Sequence, residues 1–199
     1  MNTNLPHKES LNPVNKLCVA ALLLAIGIVL PQTLHLLGGR VSGSVLLPMH
    51  LPVFVAGMLL GARYGVAIGI ATPIASFFIT GMPGFARLPF MVIELAAYGL
   101  VSGLLGCRRI NVYVALIAAQ ICGRIAYGCA HFAALGLFGM NVRPLAAVSA
   151  AFVAGLPGIA IQLVLVPAIV VFARKRIKRM DLHGKDARLA AGRKASDEA

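Results

Sequence analysis

The sequence predicts an all-α integral membrane protein of six transmembrane helices, and three observations predict it. Hydrophobic residues make up 59% of the 199 residues and charged residues 12%, at a mean hydropathy of +0.89. No lysine stands between Lys16 and Lys175, and Glu94 is the single acidic residue between Glu9 and Asp181. The apolar runs this leaves are of membrane-crossing length, roughly 17 to 25 residues for a hydrocarbon layer about 30 Å thick. A soluble domain could not clothe itself in so few polar groups. One membrane domain, residues 16–173, lies between an N-terminal segment, residues 1–15, and a basic tail, residues 174–199.

The N-terminal segment is polar, carries Pro6 and Pro13, and is expected to be loosely ordered. The first span, from about Lys16 to Leu37, is too long for a cleaved signal peptide and has no A-x-A site behind it. The second, from about Leu46 to Ala62, reads LLPMHLPVFVAGMLLGA; Pro48 and Pro52 predict a bent or partly irregular start. The third, from about Tyr64 to Ile79, has Pro73 at its centre, and the fourth, Pro89 to Gly106, carries Glu94. The fifth runs from Val112 to Phe138, and the sixth from Leu145 to Phe172 with Pro157 and Pro167 inside it. Between spans, GGRVSGS, GMPGFARLP and GMNVRP have the composition of turns. Cys18, Cys107, Cys122 and Cys129 form no CxxC pair and lie in or beside apolar runs, which predicts small buried hydrophobes and neither metal ligands nor disulfides.

The net charge of +12 points to the membrane surface more than to nucleic acid, because half of the 18 basic residues follow Phe172, in ARKRIKRM and the tail behind it. Such a cluster after an apolar span acts as a cytoplasmic anchor beside anionic lipid, at about 1 kcal/mol per basic residue. An even number of spans then places both termini in the cytoplasm. The inner side receives Lys8, Lys16, Arg63, Arg108, Arg109 and the Arg174 to Arg179 cluster, the outer side Arg40, Arg87 and Arg143, an asymmetry that supports N-in, C-in. The outer arginines sit beside glycine and proline turns, which suits either a lid over an external pocket or plain solvated turns.

An ionised carboxylate inside an apolar run requires a partner. For Glu94 the best candidate is Arg124, in the middle of the next run. Counted from the cytoplasmic end of their spans, His50, Ser76, Glu94, Arg124 and Gln162 all stand about 10 to 12 residues up, roughly 15 to 18 Å, near mid-membrane. On the fifth span Gln120, Arg124, Tyr127 and His131 recur at helical spacing and form one stripe; Glu94 with Tyr98, and Thr72 with Ser76, share faces of theirs. A polar layer of this kind either ties helices together or holds a ligand. No G-x-x-x-x-G-K-[ST] phosphate loop, no H-E-x-x-H and no triad around Ser76 is present, so no catalytic residue, metal or cofactor is assigned to this chain.

The run LLPMHLPVFVAGMLLGARYGVAIGIATPIASFFITGMPG, with ELAAYGLVSGLL and AGLPGIAIQLVLVP after it, resembles the substrate-binding S component of energy-coupling factor (ECF) transporters. The resemblance covers most of residues 16 to 173 and implies the six-helix bundle of that family, in a prokaryotic plasma membrane. It implies capture of a small water-soluble vitamin or related micronutrient from outside, with release inward driven by a transmembrane subunit and two ATPase subunits that use ATP. His50, Ser76, Glu94, Gln120, Arg124, His131 and Gln162 are then the substrate-binding candidates. The family also tends to carry an alanine pair spaced four apart on its first helix, facing the transmembrane subunit; Ala21 and Ala25 stand at that spacing. The PMHLPV and GMPG pattern is similar to S components described for pantothenate-like substrates, with the neighbouring groups assigned to cobalamin, nicotinate or queuosine-type compounds still open beside them. A carboxylate for Arg124 and amide or hydroxyl groups for His50, Gln120 and Gln162 agree with it. Two other classes stay open at this point, a passive channel or structural membrane protein and an intramembrane hydrolase using His50 and Glu94.

Overall fold

In the computed structural model, which describes residues 12–106, 110–138 and 144–197, the chain forms six helices and, among those residues, no strand. They are α1 (Pro13–Leu46), α2 (His50–Leu60), α3 (Ala62–Thr80), α4 (Leu88–Gly106), α5 (Val112–Phe138) and α6 (Pro144–Asp197). All except α2 are long and apolar enough to cross a membrane.

Local chemistry sets most of the boundaries. Pro13 opens α1 at a position where a missing N–H costs nothing. The helix does not stop at GGRVSGS, as turn composition suggested, but continues to Leu46. Each glycine costs a helix about 1 kcal/mol, yet continued intrahelical bonding outweighs this where water is scarce. The chain reverses instead at Leu47, in the left-handed conformation at φ 49°, with Pro48 immediately after it. Pro52 falls in the first turn of α2, so the irregular start expected from the prolines is observed. Gly61, at φ 99°, is the whole connection from α2 to α3: its N–H bonds the Gly57 carbonyl at 2.9 Å and its own carbonyl accepts from Gly65 at 3.0 Å. Only glycine adopts that backbone without strain. Gly81, also left-handed, ends α3 at the expected GMPG turn, and Asn111 starts α5 by accepting the Tyr113 N–H on Oδ1 at 3.0 Å. The GMNVRP turn and Cys107 lie outside the described residues.

Five helices close into a ring, α1 beside α3, then α4, α5, α6 and back to α1, and α2 stands inside it against α1, α3, α4 and α6. α2 presents almost no outward face, being buried at all but two of its 11 residues, and a helix apolar on every side suits that place. At about 16 Å it fills only half the depth of the ring. Close approach of backbones makes this packing possible: a Cβ on Gly99 would collide with the Gly65 carbonyl, one on Gly69 would lie 2.5 Å from the Leu95 oxygen, and one on Gly57 would strike Ser102. Without a hydrophobic drive between helices in lipid, such contacts of small residues hold the α2, α3 and α4 group together. At the end where α2 and α4 finish, Arg174 of α6 donates through Nη2 to the carbonyls of Met58 at 3.1 Å and Gly106 at 3.0 Å, satisfying acceptors that helix ends leave free. The cysteines correct the sequence reading, since Cys18, Cys122 and Cys129 face outward from the ring as exposed side chains. A thiol is apolar enough to meet lipid as readily as a core.

Candidate functional site

α2 fills only part of the ring, and the polar side chains gather at the level where it begins. Glu94 and Tyr98, one turn apart on α4, are joined by a 2.7 Å bond from Tyr98 Oη to Glu94 Oε1. Arg124 of α5 reaches the same oxygen through Nη1 at 3.0 Å, with the two charged side chains 13% and 6% exposed. The pair expected from the sequence is therefore formed. Gly155 of α6 makes room for it, because a Cβ there would lie 3.0 Å from Arg124 Nη2 and 2.9 Å from Leu47 Cδ1. Gly123 does the same for Tyr98, whose ring occupies the space a Cβ at 123 would need.

His50 heads α2 with its ring centroid 5.1 Å from that of Tyr98, and Phe54 packs on the same tyrosine at 4.9 Å. One side of the layer is closed by hydrogen bonds. Gln120 Nε2 donates to Gln162 Oε1 at 3.0 Å, and Gln162 Nε2 reaches the Leu47 carbonyl at 3.4 Å, so α5, α6 and the turn before α2 are tied together. Glu94, Arg124, His50, Gln120 and Gln162, from four helices, thus share one level of the bundle.

Two candidates lie apart from that level. His131, further along the α5 stripe, stacks on Phe90 at 3.9 Å and meets the Tyr127 carbonyl through Nδ1 at 3.0 Å. It forms an aromatic wall nearer the Arg87 end. Ser76 is buried, but its neighbour is Thr80, at 3.5 Å, which in turn accepts from Gln32 of α1 at 3.0 Å. The packing of Gly65 on Gly99 and of Gly69 on Leu95 fixes the antiparallel register of α3 and α4. In that register Ser76 stands about 9 Å, or six residues at 1.5 Å, beyond Glu94 toward the Arg87 end. Ala21 and Ala25 are exposed on α1, on the side opposite buried Ala20, Leu23 and Gly27. Sequence reasoning did not single out the Leu47 carbonyl, Gly123, Gly155 or Arg174. The first three act through backbone and empty space, for which a sequence has no letter, whereas Arg174 was submerged in the basic cluster around it.

The family model described as the ECF transporter, substrate-specific component, matches residues 15–170, which takes in most of α1 through α6. The chain belongs to that family. No curated protein and no solved structure matches it. As an S component it is a multi-pass membrane subunit of an ECF importer. Membership also implies association with the transmembrane and ATPase modules of such an importer.

Proposed function

We propose that this S component captures a small, water-soluble, carboxylate-bearing micronutrient of the pantothenate-like kind, in the polar layer that stands over α2. The observation that carries the reading is the buried Glu94–Arg124 pair, set beside His50 in the middle of the bundle. Charged groups at membrane depth are expensive and mark ligand or ion paths more often than packing contacts. Arg124 spends Nη1 on Glu94, and its planar fork carries further donors matched to a carboxylate. Gln120, Gln162 and His131 line the site beside and beyond the pair, and Ser76 lies at its outer margin. The basic residues of α6 from Arg174 onward anchor that end in the cytoplasm, which puts both termini inside and opens the layer toward the outside. ATP is used by the partner ATPase subunits, which drive release inward through the transmembrane subunit. A channel fits less well, because α2 occupies the interior of the ring along half its depth, where a pore would need to run.

Calorimetry of the purified protein against a vitamin panel tests the reading. One compound is expected to bind, one molecule per chain. A hydrogen bond to a charged group contributes about 1.5 to 3 kcal/mol, so Arg124→Ala and Glu94→Ala are each expected to weaken binding at least about tenfold. Folded variants that both bind like the parent would show that the pair is structural and that the site lies elsewhere.

A further inference from the structure

The polar groups of the layer can be balanced one by one. Glu94 accepts from Tyr98 and from Arg124. Gln120 donates to Gln162, and Gln162 to the Leu47 carbonyl. Thr72 donates to the Ile68 carbonyl at 2.7 Å, and His131 meets that of Tyr127. His50 is the exception. It is 2% exposed, and among the described residues its Nδ1 and Nε2 are the buried side-chain polar atoms with no hydrogen-bond partner. The adjacent Leu47 carbonyl is already engaged by the His50 N–H at 3.1 Å and by Gln162. A buried imidazole left unpaired is unfavourable, and it calls for a purpose in the site, a ligand or an ordered water to meet its nitrogens.

The position of the ring supplies that purpose. His50 begins a helix whose N-terminus has no side-chain cap and which starts at the level of the ion pair. Its neighbour Tyr98 is fixed by Phe54 and by the bond to Glu94, so the imidazole packs against an immobile partner while its nitrogens remain unspent. We propose that His50 is the specificity-determining contact of the site, its ring nitrogens taking a hydroxyl or amide of the substrate while Arg124 takes the acidic end. A neutral imidazole offers one donor and one acceptor on different edges, and hydroxyls and amides supply both complements; a carboxylate only accepts, and an alkyl group does neither. Sites built to hydrogen-bond a substrate hydroxyl reject analogues that lack it far more strongly than apolar pockets discriminate by size. This inference rests on the layer being the substrate site and names the part of the ligand that His50 reads.

The test uses the full chain in nanodiscs, as the parent and as His50→Phe, His50→Leu and Arg124→Ala. Without ligand, the two His50 variants are expected to be at least as stable as the parent, by roughly 2 to 4 °C in melting temperature, because an unpaired polar group has been removed. His50→Leu keeps this arm decisive if phenylalanine proves too large. In calorimetry the probes are pantothenate and an analogue with its hydroxyls replaced by hydrogen. The parent is expected to prefer pantothenate by at least about a hundredfold, and the His50 variants to lose both the affinity and the preference. If Arg124→Ala loses pantothenate while the His50 variants keep it and its preference, His50 is not the reader, although the site stands. If all three variants bind like the parent, the site reading falls with it. If the parent does not bind pantothenate, the ligand-free arm decides: His50 variants less stable than the parent overturn the proposal, and variants as stable or more so support it.

Discussion

Arg124 is held where it is by what its neighbours lack. Its Nη2 occupies the space in which a side chain at position 155 would start, and Leu47 packs against the same point from the other side. Any side chain there must displace the guanidinium or push the α2 turn away, and either movement disturbs the arrangement around Glu94. Gly155→Leu is therefore expected to weaken substrate binding by about tenfold or more, the equivalent of one charged hydrogen bond, in the same calorimetric assay. Gly136→Ala is the control. A Cβ at Gly136 meets nothing within 4 Å, so its binding isotherm should overlay that of the parent. Equal losses in both would mean that helix glycines matter through backbone flexibility and not through the space they leave.

The first helix presents two different faces. Ala20, Leu23 and Gly27 turn inward, with Gly27 against Thr72 and Pro52, while Ala21 and Ala25 are exposed together with Leu17, Leu22, Ile26 and Val29. Among the described residues no other helix of this chain buries the alanines. Small residues one turn apart on an outward membrane face let a second helix approach closely by van der Waals contact alone. If the transmembrane subunit docks there, Ala21→Trp/Ala25→Trp should lower its copurification and abolish uptake while substrate binding by the isolated subunit persists. Copurification and calorimetry on the same double variant check this. A variant that assembles and transports normally would move the docking face elsewhere, and one that loses binding as well would make the face part of the fold.

The described residues form a ring of five helices around a short central one, and the sequence has no phosphate-binding loop. Under the proposed function such a subunit holds the ligand, and its partners drive the release. Concentrative uptake is accordingly expected only when the transmembrane and ATPase subunits are coexpressed and ATP is present, as measured by accumulation of labelled substrate in vesicles. Accumulation by this chain alone would contradict the division of labour, uncoupled flux would indicate a channel, and chemical alteration of the substrate an enzyme.

The sequence by itself determined the class, the number of helices and the identity of the buried charged pair. Each follows from a cost that position in a fold does not remove: apolar runs must leave water, and a carboxylate at membrane depth must find a cation. Only the tertiary structure decided which helix stands inside and that Ser76 lies off the level of the charged pair. The run HLPVFVAGMLL is as apolar as its neighbours, and in a membrane protein lipid-facing and core-facing surfaces are both apolar, so burial leaves little trace in composition. For the same reason three cysteines read as buried face outward. Ser76 stands beyond Glu94 because glycine contacts between α3 and α4 set their register, and the ring nitrogens of His50 are buried where no side chain of the layer bonds them. Those outcomes depend on backbone approach and on which side chains the packing brings within reach, which arise only once the helices are packed.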